Sequence, residues 1–227
     1  MPRGKQSRGQ CAFCGYETTK GSMSKHLAAC PKRQAQMVGA AQTGRKAEPL
    51  YYLRMQDAYD SQFWLDLEVR GSASLKDIDA YLRAIWLECC GHLSQFSIGG
   101  WQGQEIAKSR RVDAIFQRDV ELTHIYDFGT SSETRIKALG QRIGEPISTR
   151  PMVLMARNVR PETACIECGR QASHLCMECL IEDQTLGTLC TQHAQNHPHQ
   201  DYGEPIELVN SPRLGMCGYT GPAEPPY

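Results

Sequence analysis

The spacing of cysteines and histidines constrains this chain more than any other feature. The 227 residues include 11 cysteines, most of them in two clusters near the ends of the sequence. The chain begins without an apolar leader and has no long apolar run, so we expect a cytoplasmic protein whose thiols stay reduced. Reduced thiols at short, regular spacing are typical metal ligands. The pattern therefore predicts small modules folded around zinc.

The first cluster has the ligand spacing of a CCHC-type zinc finger. Cys11 and Cys14 form one pair, and His26 and Cys30 form the second pair after a gap of 11 residues. The first pair suits a tight knuckle that points two thiolates at one ion. His26 and Cys30 are four residues apart, so they project from one face of a helix.

Other residues of this segment support the finger. Ser22 is placed to cap the helix, Met23 to fill its apolar face and Pro31 to end it. The aromatic residue usual midway between the ligand pairs is missing. We therefore expect Phe13 or Tyr16 to supply the small core.

The second cluster contains eight candidate ligands, enough for two four-coordinate zinc ions. In chain order they are Cys165, Cys168, Cys176, Cys179, Cys190, His193, His197 and His199. This order resembles a B-box type zinc module, in which two sites interleave. The resemblance implies one zinc on Cys165, Cys168, Cys190 and His193, and another on Cys176, Cys179, His197 and His199.

The residues themselves leave other arrangements open. The first four cysteines could surround one ion, with Cys190 and the histidines holding another. His174 could replace His197 or His199, which only one residue separates. A four-cysteine set also suits an iron-sulfur cluster, but the histidine-rich second half favours zinc. The full ligand count predicts closed structural sites, with about three zinc ions in the whole chain.

Between the clusters, the sequence predicts an α+β domain. Alternation over residues 63–69 predicts a half-buried strand with Asp66 and Glu68 facing solvent. Ser74 is placed to cap an amphipathic helix. Further strands are predicted at 95–98, 121–128, 133–139 and 152–159. We expect a mixed or antiparallel sheet with one main helix on one face, plus two small zinc-stapled modules.

Changes in composition divide the chain into five segments. We expect a finger with a basic flank, a linker, the α+β domain, the cysteine- and histidine-rich module, and a tail that packs on the α+β domain. The corresponding ranges are 1–31, 32–49, 50–160, 161–200 and 201–227.

The formal net charge of zero hides a strongly basic N-terminal end. Residues 1–50 contain two acidic side chains and nine basic ones, namely Arg3, Lys5, Arg8, Lys20, Lys25, Lys32, Arg33, Arg45 and Lys46. Such an end can contact a polyanion. We therefore expect a nucleic-acid partner for this region or a protein partner for the finger, and no membrane partner. A single finger would bind nucleic acid mainly through phosphate contacts, with strong salt dependence.

The middle domain resembles the family named for the third open reading frame of a root-inducing Ri plasmid, whose members also occur as passengers of insertion sequences. The residues that carry the resemblance are 52–54, 63–69, 74–86, 125–129, Glu133, Arg135 and the tail segment 209–219. The resemblance implies the α+β fold and an accessory role in mobile elements, but no catalytic residues.

The leading functional hypothesis is therefore a zinc-binding adaptor, or an accessory protein that binds nucleic acid or protein. The alternative is a metal-dependent hydrolase or other mobile-element enzyme with its site in the middle domain. That alternative requires a cleft with convergent polar residues.

Overall fold

The computed structural model describes residues 7–88, 90–117, 119–199 and 201–227. Its main element is a nine-stranded sheet in which every pair of neighbours is antiparallel, in the order β2-β1-β9-β4-β3-β8-β7-β5-β6. The strands are β1 (Arg8–Cys11), β2 (Glu17–Thr19), β3 (Glu48–Asp57), β4 (Trp64–Arg70), β5 (Ser94–Ile98), β6 (Gln104–Ile106), β7 (Glu121–Tyr126), β8 (Ser132–Gly144) and β9 (Met152–Asn158). The predicted α+β class is confirmed.

The remaining elements are short. The helices are α1 (Lys20–Ala29), α2 (Pro31–Ala40), α3 (Leu75–Leu82), α4 (Val112–Ile115), α5 (Met177–Ile181) and α6 (Thr191–Ala194). A π-helical turn continues α3 as far as Leu87, and Gly100–Gln102 form a 3-10 turn. A second sheet has the order β11-β10-β12 and consists of β10 (His174–Leu175), β11 (Thr188–Leu189) and β12 (Ile206–Glu207). None of the described helices is long and apolar enough to cross a membrane.

Helix α3 covers the first face of the large sheet. The Ser74 side chain accepts a hydrogen bond from the Asp77 backbone, and the Asp77 carboxylate accepts one from the Ser74 backbone. This capping box confirms the predicted helix start. The apolar side of the helix packs in one core with alternate residues of β4, namely Leu65, Leu67 and Val69.

The zinc finger covers part of the second face of the sheet. Helix α1 places Met23 and Leu27 in a separate small core with Trp64 of β4, and all three are almost fully buried. The side chains of β4 that point to this second face are therefore buried too. Asp66 is 0% and Glu68 5% exposed. The prediction that these carboxylates face solvent is wrong because the finger lies over them.

Both buried carboxylates are paired with arginines. Arg54 lies opposite Asp66 on the neighbouring strand and donates two hydrogen bonds to it, of 2.7 and 2.8 Å. Glu68 accepts from Arg33 of α2 at 3.0 Å and from Arg142 of β8 at 2.6 Å. Burying a carboxylate is costly unless such partners are present. The Arg33 pair also fixes α2, and with it the finger, to the sheet.

The finger is also continuous with the sheet through its first strand. β1 pairs with β9, with Gly9 opposite Asn158 and Cys11 opposite Ala156. A side chain at Gly9 would overlap the ring of Trp64, so this close approach requires glycine.

The segment expected to be a linker is instead largely ordered. Residues Pro31–Ala40 form α2, and β3 begins at Glu48. Pro31 ends α1 as predicted, but it also occupies the first turn of α2, where its missing N–H is no loss.

The C-terminal tail packs on the middle domain through buried polar groups. The Ser211 hydroxyl donates to the carbonyl of Trp86 at 2.6 Å. Arg213 is 0% exposed and donates to Asp127 at 2.7 Å and to Ser132 at 3.0 Å. Its guanidinium also lies 4.9 Å from the ring centre of Tyr126.

Candidate metal centres

The described residues contain three groups of four cysteine and histidine side chains whose ligand atoms all lie within 4.8 Å of one another. The groups are Cys11, Cys14, His26 and Cys30; Cys165, Cys168, Cys190 and His193; and Cys176, Cys179, His197 and His199. Together they contain every ligand predicted from the sequence. Donor sets of sulfur and imidazole nitrogen are typical of zinc.

The finger site lies between the β1–β2 knuckle and α1. A hydrogen bond of 2.8 Å from the Gly15 N–H to the Cys11 carbonyl closes the knuckle. The Cys11 and Cys30 sulfurs are 3.9 Å apart, and the Cys14 sulfur is 3.4 Å from His26 Nε2. Tetrahedral zinc with bonds of about 2.3 Å to sulfur places two sulfurs about 3.8 Å apart. A disulfide would require about 2.05 Å, so the distances fit a zinc site.

The surroundings of the finger site are partly as predicted. Met23 is 0% exposed, and Phe13 packs against the same small core. The ring of Tyr16 stacks on His26 with a centroid distance of 4.6 Å. The cap prediction is wrong, because the Thr19 side chain accepts a hydrogen bond from the Ser22 N–H and so caps α1 itself. The difference between the predicted and the observed cap is small, since threonine and serine both offer a hydroxyl oxygen as the acceptor.

In the second site, two turns of the C-terminal module face each other. Cys165 and Cys168 lie on one turn, and Cys190 and His193 lie at the start of α6. The Cys168 and Cys190 sulfurs are 3.9 Å apart, and the Cys165 sulfur is 3.3 Å from His193 Nδ1. Burial opposes ionisation of Cys165, but hydrogen bonds from His193 and from backbone N–H groups lower its thiol pKa to about 6. A lowered pKa favours the thiolate that metal binding requires.

The third site is built around α5. The Cys176 sulfur caps this helix by accepting from the Cys179 N–H. The Cys179 sulfur is 3.2 Å from both His197 Nε2 and His199 Nδ1. A one-residue gap therefore suffices for two histidine ligands, because one uses Nε2 and the other Nδ1.

The two C-terminal sites are interleaved along the chain. The structure separates Cys165 and Cys168 from Cys176 and Cys179, so the alternative site of four cysteines is not formed. His174 belongs to neither site, and its Nδ1 instead contacts the Ser173 hydroxyl at 2.8 Å.

Each group supplies four protein ligands. Four ligands complete the coordination of zinc and leave no position for a reactive water. The groups are therefore consistent with about three structural zinc ions.

Sequence reasoning missed one neighbour of the second site. Arg170 donates to the Cys168 sulfur at 3.3 Å and to the Gln192 side chain at 2.7 Å. Its cation offsets the negative charge of the thiolates. Its position two residues after a cysteine ligand was the available signal.

Comparisons with other proteins add little to this description. Neither protein-family models nor curated proteins give a match to the chain. A crystal structure of a protein of unknown function from Methanosarcina mazei Go1 has limited similarity, with a TM-score of 0.42 and 14% sequence identity. The similarity covers 54% of this chain and 75% of that chain.

The metal content provides a direct test. Full-length protein purified under reducing conditions is expected to contain close to three zinc ions per chain, measured by elemental analysis against protein concentration. Cys14→Ser and Cys168→Ser should each lower this number by one, because each removes a ligand from a different site. Iron with visible absorption, or less than one zinc per chain, would contradict the assignment.

Proposed function

We propose that this protein is a zinc-stabilised accessory protein that binds nucleic acid, with its metal ions serving structure only. The closed ligand sets support the structural role of the metal. The observation that carries the nucleic-acid proposal is a line of arginines at the junction between the finger and the C-terminal module.

We call this line the arginine track, consisting of Arg8, Arg160 and Arg170. A hydrogen bond of 3.0 Å from the Val159 N–H to the Arg8 carbonyl places Arg8 beside Arg160. A cavity of about 340 Å³ is lined by Arg8 and Arg160 together with one acidic residue, Glu162, and another of about 540 Å³ is lined by Arg160 and Arg170. Among the described residues, no acidic side chain forms an ion pair with Arg8 or Arg160. Arg170 is already hydrogen-bonded to Cys168 and Gln192, so Arg8 and Arg160 are the guanidinium groups of the track that suit phosphate.

The rest of the basic end is less available than its charge suggests. Arg33 pairs with Glu68, Arg45 donates to the carbonyl of Pro146 at 3.1 Å, and Lys20 donates to Gln56 at 2.7 Å. Arg3 and Lys5 lie outside the described residues. Exposed basic side chains remain at Arg8, Lys25, Lys32 and Lys46.

The exposed surface of the finger helix α1 favours binding of nucleic acid through phosphate contacts and not through recognition of bases. Its apolar side, with Met23 and Leu27, packs against the sheet. Its exposed positions include small residues, Gly21, Ser22 and Ala28, which have little reach into a groove. Binding that relies on phosphates tolerates many sequences and depends strongly on salt. The resemblance to the Ri-plasmid family supports placing this activity in a mobile-element context.

Neutralising the centre of the track is expected to weaken binding of nucleic acid. Arg160→Gln should lower affinity for a labelled oligonucleotide and reduce the slope of log affinity against log salt by about 1, because roughly 0.9 counterion is released per neutralised phosphate. Fluorescence anisotropy at several salt concentrations, with duplex and single-stranded probes, measures both quantities.

Arg110→Gln is the matched control, because Arg110, like Arg160, forms no ion pair within the described residues, although it is more exposed. It should bind like the unmodified protein. Equal losses in the two variants would indicate that only overall charge matters. Absence of binding at low salt would reject the nucleic-acid proposal.

A further inference from the structure

Three large aromatic side chains are exposed together on the second face of the sheet. Tyr59 is 70%, Trp101 43% and Phe128 47% exposed. They come from separate segments, namely the β3–β4 turn, the 3-10 turn after β5 and the β7–β8 loop. Clusters of exposed aromatic residues mark binding surfaces more often than scattered ones.

Two of these side chains hydrogen-bond to one carboxylate, that of Glu133 on β8, and the third ring packs against one of the two. Trp101 Nε1 donates to Glu133 Oε1 at 2.8 Å, and the Tyr59 hydroxyl donates to the same oxygen. This hydrogen bond raises the pKa of Tyr59 to about 12, so the hydroxyl remains a donor. The rings of Trp101 and Phe128 meet edge to face, with centroids 5.5 Å apart and planes at 66°.

Glu133 keeps one oxygen for a ligand. Tyr59 and Trp101 both donate to Oε1, and within the described part of the chain no side chain donates to Oε2. The nearest basic residue on the same side of β8 is Arg135, which instead donates to the Ala58 carbonyl at 3.3 Å. The carboxylate is thus oriented by two aromatic donors but is not neutralised by the chain itself.

The acidic side chains around this group favour a positively charged ligand. Asp57 lies next to this group, and burial together with Asp60 and Glu133 raises its pKa. A negative field repels phosphate, so base stacking of nucleic acid is disfavoured here. Aromatic faces and a carboxylate both attract a cation.

We propose that Tyr59, Trp101, Phe128 and Glu133 form a recognition site for a lysine side chain of a basic partner protein. We call this group the aromatic–acidic site. The ammonium group would lie against the aromatic faces with Glu133 as its counter-ion. The proposal is independent of the arginine track, because the two surfaces have opposite charge and share no residue.

The site can be tested with a short labelled oligolysine peptide as the probe and the full-length zinc-loaded protein. Glu133→Gln keeps the acceptor oxygen for Tyr59 and Trp101 but removes the charge. It is expected to weaken peptide binding roughly 3- to 10-fold. Trp101→Leu should weaken it similarly. The matched control is Glu105→Gln, an exposed glutamate on β6, which should bind like the unmodified protein.

Tryptophan fluorescence locates the binding event. Trp64 and Trp86 are 0% exposed, so acrylamide quenches mainly Trp101. Bound peptide is expected to protect Trp101 from quenching, and Glu133→Gln should shift that protection to peptide concentrations about 3- to 10-fold higher.

Two results would overturn the proposal. The first is equal binding by Glu133→Gln and Glu105→Gln, which would indicate attraction by overall charge alone. The second is loss of oligonucleotide binding in Trp101→Leu with peptide binding unchanged, which would indicate base stacking. Neither result bears on the Arg160→Gln test.

Discussion

Replacing Cys14 with serine is expected to destabilise the large sheet as well as the finger, whereas replacing Cys168 should leave the sheet intact. Structural zinc binds such modules with an apparent free energy of about 10–16 kcal/mol, so a lost ligand unfolds the module. An unfolded finger uncovers Trp64 and the carboxylates of Asp66 and Glu68. We expect the lost packing to lower the free energy of unfolding by about 2–4 kcal/mol. In a domain of this size, that loss lowers the melting temperature by roughly 5–10 °C.

The two variants are matched, because both cysteines are exposed ligands of four-residue sites. Thermal unfolding followed by tryptophan fluorescence separates their effects, since all three tryptophans lie between residues 64 and 101. Cys14→Ser should expose Trp64 to acrylamide, and Cys168→Ser should not. If Cys14→Ser melts like the unmodified protein, the finger is an independent module and its contacts with the sheet contribute little.

Replacing Arg213 with alanine is expected to cost about 3–5 kcal/mol, because it leaves Asp127 as a buried charge without its arginine. The substitution also removes the donor to Ser132 and the group that stacks on Tyr126. The tail should then detach and become accessible. Chemical denaturation measures the stability, and hydrogen exchange over residues 206–227 measures the detachment.

A second substitution tests the cause of this loss. Asp127→Ala combined with Arg213→Ala should be less destabilised than the sum of the single variants, since the buried carboxylate that lost its arginine is then absent. Additive effects would indicate that packing of the arginine, and not its charge, holds the tail. Arg110→Ala, at an exposed position, should change stability by less than about 0.5 kcal/mol.

The sequence predicted best those features that depend on local spacing. The spacing of the cysteine and histidine clusters, the Ser74 cap and the strands at 121–128 and 133–139 depend on residues close along the chain, where periodicity and cap chemistry are informative. Local spacing also predicted the strand at 152–159, which the structure has at Met152–Asn158.

Apart from the cap of α1 and the helix in the expected linker, the failures concern contacts between distant segments. Asp66 and Glu68 look like solvent-facing residues until α1 covers them, and nothing in residues 63–69 indicates that cover. The aromatic–acidic site was also missed, because its four residues come from four separate segments. Single exposed aromatic residues are common on protein surfaces. Only the contacts that join Tyr59, Trp101, Phe128 and Glu133 in the folded protein distinguish this group from such residues.

The pairing of β1 with β9 has a consequence for how the chain matures during synthesis. The finger ligands span only residues 11–30, so the nascent finger can capture its ion early. Its docking surface is complete only after residue 158 has left the ribosome, because β9 supplies the partner strand. Until then Met23, Leu27 and the free edge of β1 remain uncovered, which is a state open to chaperones and to mispairing. The slow step of maturation is therefore expected to be this late closure of the sheet.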